Sequence, residues 1–375
     1  MIGKNYSIYT TPENTFELMC QSLFLQVGQQ KNVLKIVFFG SPLNNEEYIQ
    51  HQKALVRLTK ANFPELIPLV SYVAQKPLID GLSAEVVWVD TLDNITIAGG
   101  DNYLVLDNGF CRELLTGGIF HADISAPVSV QTNAVFEQIE QILNEAEFPL
   151  DSIVRQWNYI EDITRIEGDR QHYQDFNDLR SHFYAKAKWC SGYPAATGIG
   201  TQCGGVMVEI IAISGNELIN RVLDNPLQIA AHHYSEDVLL GEADPAFRRR
   251  TTPKFERARV IGSSGNQTVF ISGTAAIRGE ASLNEDDVLE QTKVTMANID
   301  YLISDGNYPS ESTERTYKML RIYIKTPSMM ELVHEYMKKH YPETTQIFIC
   351  ADVCREELLI EIEGVAEINN SNSLF

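Results

Sequence analysis

The chain has 375 residues, 44 % of them hydrophobic and 21 % charged, with a formal net charge of −20. That length and balance describe a globular protein of two or three domains with a substantial core. The acidity argues against a nucleic-acid surface, which needs a basic face, and any anionic substrate would require a locally basic pocket. The start, MIGKNYSIYTTPENTF, lacks the apolar core of a signal peptide, and no apolar run approaches the roughly 20 residues that span a bilayer. The cysteines (Cys20, Cys111, Cys190, Cys203, Cys350, Cys354) are scattered, as reduced thiols in a cytoplasm are. A cytoplasmic protein without membrane contact is therefore expected. Cys350 and Cys354 have no His/Cys pair to complete a metal site, and no GxxxxGKS phosphate loop occurs, so neither a metal nor a cofactor is expected.

Residues 1–100 contain strands (VLKIVFFG, AEVVWVDT) and a helix (EEYIQHQKALVRLTKA), and read as an amino-terminal extension or a degenerate copy of the two later units. Residues 101–215 form the first of these units. It holds ELLTGGI, a helix on QTNAVFEQIEQIL with Val135, Ile139, Ile142 and Leu143 at helical spacing, a strand IVRQWNYI, a helix on FNDLRSHFYAKA, and strands TGIGTQ and VMVEIIAI. Residues 216–252 read as a linker, with a helix on NELINRVLD and a solvated basic run at Arg248–Arg250. His232-His233, in this linker, is not expected to be catalytic. Residues 253–368 form a second unit: VFISGTA, a helix on QTKVTMANIDYLI, a strand KMLRIYIK, a helix on SMMELVHEYMKKH, and strands TQIFICADVC and LLIEIEGVA. The polar tail NNSNSLF should fray.

The two units repeat in the same order. Gln131-Thr132 matches Gln291-Thr292, Tyr159-Ile160 matches Tyr323-Ile324, and Glu209 is matched to Glu361. Each unit has the order β-β-α-β-α-β-β, which predicts an α+β fold: a mixed sheet with both helices packed on one face and the other face free to pack or to line a pocket.

Copy two resembles the YjgF/Rid family of reactive-intermediate deaminases in PKFERA, VFISGTA, Gln291-Thr292 with Asn298, and IEIEGVA. The resemblance implies tandem YjgF/Rid-like (chorismate-mutase-like) units. Those proteins are trimers that bind small carboxylates between neighbouring subunits. A tandem copy would build that interface within one chain, so a monomer is expected. Residues 151–368 are more specifically similar to the chorismatase family, whose members split pyruvate from chorismate. The matching stretches are RQWNYIEDI, YQDFNDLRSHFY, GYPAATGIG, PKFERA, ISGTAAI and ADVCREELLIEIEG. In the deaminases an Arg at the start of the penultimate strand grips the substrate carboxylate. Here that position is Gln346, and Ala196 in copy one, which speaks against a deaminase.

Cleaving the enolpyruvyl ether of chorismate needs a carboxylic acid that can protonate the methylene carbon, and burial in an apolar sheet keeps a carboxyl protonated. In LLIEIEGV the alternation puts Glu361 and Glu363 on one face and the isoleucines on the other. Glu361 is the expected acid, and a role for Glu363 is left open. The two carboxylates of the substrate call for arginines. Candidates are Arg155, Arg180, Arg257, Arg321 and Arg355. Of these, Arg257 lies in PKFERA, Arg321 faces away from Leu320 and Ile322, and Arg180 lies on a helix; these three are the expected carboxylate ligands. Tyr193 and Thr197 of GYPAATGIG are candidate hydrogen-bond donors, and Gly273 of ISGTAAI completes the binding set. Hydroxybenzoate-forming chorismatases resemble this chain in having a Cys at the position of Cys354, seven residues before the Glu. The resemblance therefore implies 3-hydroxybenzoate formation, with Cys354 shaping the pocket beside the ring. Hydrolysis of chorismate to a dihydroxycyclohexadiene carboxylate is the runner-up. An imine/enamine deaminase and a small-molecule-binding protein on the same fold are the alternatives.

Overall fold

A computed structural model of the chain describes residues 1–235, 247, 250–263, 265–284, 286–309 and 314–369. Arg248 and Arg249, and the tail from residue 370, lie outside the described residues. The order of elements is β1 (Asn5–Pro12), α1 (Phe16–Val27), β2 (Val33–Gly40), α2 (Asn45–Asn62), β3 (Leu69–Ala74), β4 (Gly81–Trp88), β5 (Thr96–Gly99), β6 (Tyr103–Asp107), β7 (Cys111–Thr116), α3 (Val128–Glu145), β8 (Ile153–Glu161), α4 (His172–Tyr184), β9 (Ala195–Thr201) and β10 (Val206–Gly215). It continues with β11 (Ile219–Leu223), β12 (Ala258–Gly262), β13 (Asn266–Thr274), α5 (Val288–Leu302), β14 (Glu314–Ile324), α6 (Pro327–His340), β15 (Thr345–Cys350) and β16 (Ile360–Asn369).

The larger sheets run β3-β2-β4-β1, β9-β8-β10-β7-β6-β5 and β15-β14-β16-β13-β12-β11. All begin with the same motif: a parallel edge strand, then the central strand, then the last strand antiparallel to it. The two repeats therefore share one strand order, and residues 5–88 repeat that order with two strands fewer. Of the elements in that segment, β1, α1 and β3 were not expected from the sequence.

Each sheet buries one face under its own helix pair. Cys20, Leu23, Tyr48 and Leu55 of α1 and α2 cover Ile36, Phe38 and Val86. Val135, Ile139 and Leu143 of α3, with Phe176 and Phe183 of α4, cover Ile160, Val208 and Ile210. Met296, Ile299 and Leu302 of α5, with Val333 and Met337 of α6, cover Ile322, Ile360 and Ile362. Fully burying each such side chain contributes about 1.5–3 kcal/mol before entropy is counted. Two helix starts carry a side-chain cap: Asn44 accepts from Glu47 N, and Asp287 accepts from Leu289 N and Glu290 N.

The helix-free faces meet one another. Val37 and Phe39, Trp157, Tyr159, Met207 and Ile211, and Phe270, Tyr323 and Val365 share one inner core. The sheets close into a ring by their edge strands. Around β3, Gly118 N donates to Val70 O (3.3 Å) and Gln202 N to Ala74 O (3.0 Å). The strand β9 docks on the third sheet. Around β15, Ile349 and Cys350 pair with Pro77 and Lys76.

The helix expected over 216–224 is instead the strand β11, antiparallel to β12. Ile219 and Leu223 point into the core under α5. Pairing with an otherwise open sheet edge outweighs the modest helix preference of this segment. Among the described residues no helix is long and apolar enough to cross a membrane.

Candidate active site

Where β9 docks on the third sheet, a cavity of about 460 Å³ opens. Ala196 N donates to Ser272 Oγ (2.9 Å), Gly273 N to Thr197 Oγ1 (3.1 Å), and Gly200 N to Asp352 O (2.8 Å). The cavity thus lies between the two repeats of one chain. Small residues (Ala196, Gly198, Gly273, Ala275) line its sheet side. Tyr173, Gln174, Asn177 and Arg180 enter from α4, and Tyr234, Phe255 and Arg257 from the segment before β12. The loop before β16 contributes Cys354, Arg355 and Glu357.

Glu361 reaches this cavity from β16. Its isoleucine neighbours face the α5/α6 core, as the alternation predicts. Glu361 is 6 % exposed, and among the described residues nothing hydrogen-bonds its carboxyl. Burial, and after it the Glu363 charge, push this carboxyl up to about 8, against the pull of Arg155 and Arg257. It therefore carries its proton at neutral pH. A Cβ on Gly273 would overlap the Glu361 carboxyl, and one on Gly198 would lie 2.9 Å from the Tyr173 ring. The two glycines let these side chains lie flat against the sheet.

Positive charge is concentrated opposite. Arg257 donates to Tyr234 Oη (2.8 Å) and Ile229 O (2.7 Å). Arg355 donates to Glu280 O (2.8 Å). The Tyr234 ring carries both guanidiniums, Arg257 at 5.7 Å and Arg355 at 5.3 Å from its centroid. Arg180 is held by Asn177. This is the locally basic pocket that an anionic substrate of an acidic protein requires.

Of the residues singled out in the sequence, Glu361, Cys354, Arg180, Arg257, Arg355 and Gly273 line one cavity. Arg321 does not. It grips Glu85 with two bonds (2.6 and 2.8 Å) and reaches Glu363 at 3.3 Å in the inner core. Its alternation with Leu320 and Ile322 correctly turned it from the helices, but that face at this level meets the other sheets. Thr197 sits behind the cavity wall, bonded to Arg155 (2.7 Å), Gly273 N and Glu363. Tyr193 lies in an adjacent aromatic cluster with Tyr184, Trp189 and His232, and lines a neighbouring pocket. Cys354 is half-buried; burial, then the nearby Glu361, push its thiol up to about 12, so it is neutral. Among the described residues no group of three or more His, Cys, Asp or Glu is placed to hold a metal.

The strand registers revise one match in the repeat. Tyr159 pairs with Met207 and Tyr323 with Glu361, while Trp157 pairs with Glu209 and Arg321 with Glu363. The counterpart of Glu209 is therefore Glu363, and that of Glu361 is Met207. At the junction of the first two sheets, Met207 fills the space against Gly118. In the first sheet Phe39 pairs with Ser83, which lines a smaller cavity of about 250 Å³ together with Gln346. Of the junctions between sheets, only the one beside β9 and β13 carries an acid at this position.

The family model described as "Chorismatase FkbO/Hyg5-like, N-terminal" matches residues 112–212. A 3-hydroxybenzoate synthase of Streptomyces hygroscopicus is 30 % identical over 242 residues, covering 62 % of this chain and 68 % of that protein. The chain belongs to the chorismatase family. A chorismatase of the same organism is 26 % identical over 300 residues, covering 78 % of this chain and 77 % of its own. A crystal structure of a chorismatase covers 97 % of this chain and 98 % of that one, with a TM-score of 0.68 at 19 % identity, which shows a common fold. The family model ends before Glu361; the chorismatase structure extends over the whole ring.

Within this chorismatase fold, Tyr173, Asn177 and Tyr234 are cavity residues that the sequence reading did not single out. Tyr173 and Asn177 belong to YQDFNDLRSHFY, where eight residues are buried, including polar Gln174, Asn177, Asp178 and Arg180. A helix with polar residues on its buried side was the available signal. Tyr234 follows the His pair in an irregular segment and had none.

Proposed function

We propose that this member of the family is a cytoplasmic, monomeric chorismatase that converts chorismate to 3-hydroxybenzoate and pyruvate. We also propose that it is built of three units, residues 1–100, 101–215 and 253–368, with β5 of the first segment added to the edge of the second sheet and β11 of the connection 216–252 to the edge of the third. The observation that carries the activity is a buried Glu361 carboxyl, without a hydrogen-bond partner among the described residues, sharing one cavity with Arg180, Arg257 and Arg355. The name of the 3-hydroxybenzoate synthase relative supports the choice of product.

Arg180, Arg257 and Arg355 supply the forked donors for two carboxylates, and the substrate's charges hold it with the enolpyruvyl group toward β16. Glu361 then protonates the methylene carbon and the ether bond breaks, releasing pyruvate. Chorismate is isomeric with 3-hydroxybenzoate plus pyruvate, so no water is consumed. The C4 hydroxyl oxygen then bonds to C3, the carbon that lost the ether, and its C4–O bond opens. With the net loss of one ring proton the ring becomes aromatic with its oxygen on C3, and the acid is restored. In the hydrolytic alternative a water oxygen is incorporated.

Incubation with chorismate tests this reading. Pyruvate, followed by coupled lactate dehydrogenase, and 3-hydroxybenzoate on chromatography are expected. Pyruvate with only the diene would replace the synthase by the hydrolase. No pyruvate at all would reject both and leave a deaminase or a binding protein. Cys354→Ala should shift product from aromatic acid toward diene, because the neutral thiol acts through the volume and polarizable surface it presents beside Glu361. An unchanged ratio would reduce Cys354 to packing.

A further inference from the structure

The inner core holds an unusual concentration of buried charge. Glu363 accepts from Trp157 Nε1 (2.8 Å), Tyr323 Oη (2.9 Å) and Arg321 Nη1 (3.3 Å), and also from Arg155 and Thr197. It is 2 % exposed. The same position in the other sheets is Glu209, bonded by Ser71 and paired with Lys35 at 3.1 Å, and Glu85, gripped by Arg321. Each sheet thus sets one anion against a cation beside the inner core. What differs is the residue two positions earlier on the same strand face: Ser83, Met207 or Glu361. Only in the third sheet does a second carboxyl stand next to the clamped one.

We infer that Glu363 is a positioning residue, a fixed anion whose charge holds the proton on Glu361. The inference rests on Glu361 being the acid of the proposed reaction. Residues i and i+2 of a strand lie on one face about 6–7 Å apart, close enough for a strong interaction in a buried setting. Five donors make protonation of Glu363 unfavourable: burial alone would raise its affinity for a proton, but Arg155 and Arg321 hold it below the usual carboxylate range. Of two adjacent carboxyls, the one with five donors keeps the charge and the one without donors keeps the proton. Thr197 couples them mechanically. Its hydroxyl bonds Glu363 while accepting from Gly273 N, the backbone against which Glu361 lies.

The other groups facing Glu361 act in known directions. Arg155 on β8 and Arg257 before β12 favour its ionised form. Arg180 on α4 and Arg355 in the loop before β16 add positive charge to the same cavity, Glu356 and Glu357 add negative charge, and Tyr173 and Cys354 are neutral neighbours. Removing the Glu363 charge tips the balance toward the cations, because it is the anion that acts most strongly on Glu361.

The test follows the Glu361 carboxyl by carbon NMR in glutamate-labelled protein without substrate, assigned by its absence in Glu361→Gln. In Glu363→Gln its titration midpoint should fall by at least one pH unit, a tenfold loss of proton affinity. The alkaline limb of the kcat profile should fall with it. In Arg155→Met, which removes a cation instead, the midpoint should rise. A merely structural role would not move the two variants in opposite directions. An unmoved midpoint in Glu363→Gln, or shifts of the same sign, overturns the inference. If Glu363→Gln does not fold, Arg155→Met decides alone: a midpoint that stays or falls overturns it. The titration needs no turnover, so failure of the proposed activity would be seen separately, as absence of pyruvate with the midpoints still shifting.

Discussion

Glu361→Gln is expected to fold and to lose pyruvate release by at least about 10²-fold, the lower end of what a general acid contributes. The amide keeps the size and shape of the protonated carboxyl, so the cavity is preserved while the proton donor is lost. The stability of the same variant provides a control. The folded carboxyl titrates at about 8 and the unfolded one near its ordinary 4.5. Below about pH 4.5 both states are protonated and the buried group costs nothing through ionisation. As pH rises from there toward 8, the unfolded state releases its proton while the folded state retains it. Wild type loses stability across that window, and the loss levels off above it. Glu361→Gln removes this dependence, so its unfolding free energy relative to wild type should climb between about pH 4.5 and pH 8, by an amount of the order of a few kcal/mol, and its relative thermal midpoint should climb with it. Wild-type turnover should itself fall above about pH 8 as the acid ionises. An active Glu361→Gln variant, or one whose relative midpoint is flat with pH, would move the acid elsewhere.

Gly273→Ala is expected to be nearly as damaging to turnover while leaving the fold intact. Gly273 has no left-handed backbone angle that would demand glycine. The constraint is space: an added Cβ overlaps the Glu361 carboxyl and comes within 3.2 Å of Thr197 Cγ2. The carboxyl is the far end of a flexible side chain, so it yields and the strand does not. Thermal stability should change little. The acid, however, is displaced from the reacting carbon by ångström-scale distances, and a misplacement of that size costs on the order of 10²-fold in rate. Steady-state assays alongside thermal unfolding check this. Turnover within about threefold of wild type would show that the close contact has no catalytic consequence.

Much of the site was legible in single stretches of sequence, and the rest depended on partners far along the chain. The alternation in LLIEIEGV placed Glu361 and Glu363 on one face without saying which holds a proton. That distinction depends on donors such as Arg155 and Thr197, 208 and 166 residues away. Arg321 was turned to the correct side of its strand, yet whether that side faces the cavity or the inner core depends on which sheet lies opposite. Thr197 is close to the site but bonds the clamped anion rather than facing the cavity. The match of Glu209 to Glu361 was two residues out, because similar short motifs align equally well at either offset and only strand register separates them.

Local pattern was enough to reveal the repeat, the α-β-α-β-β order that ends each unit, and the strand face on which Glu361, Glu363 and Arg321 lie. These follow from local periodicity, 3.6 for helices and 2 for strands, which a short segment expresses alone. The additional first strand of each repeat, β5 and β11, was not legible because it is short or reads as helix and is fixed by pairing to the sheet edge. The tertiary structure decided that the sheets close into a ring, that β9 docks beside Gly273, and that of the similar junctions only this one sets an acid against arginines. The reason is physical: a proton's affinity for Glu361 is set by burial and by the fields of charges on other strands, and those distances exist only once the ring has closed.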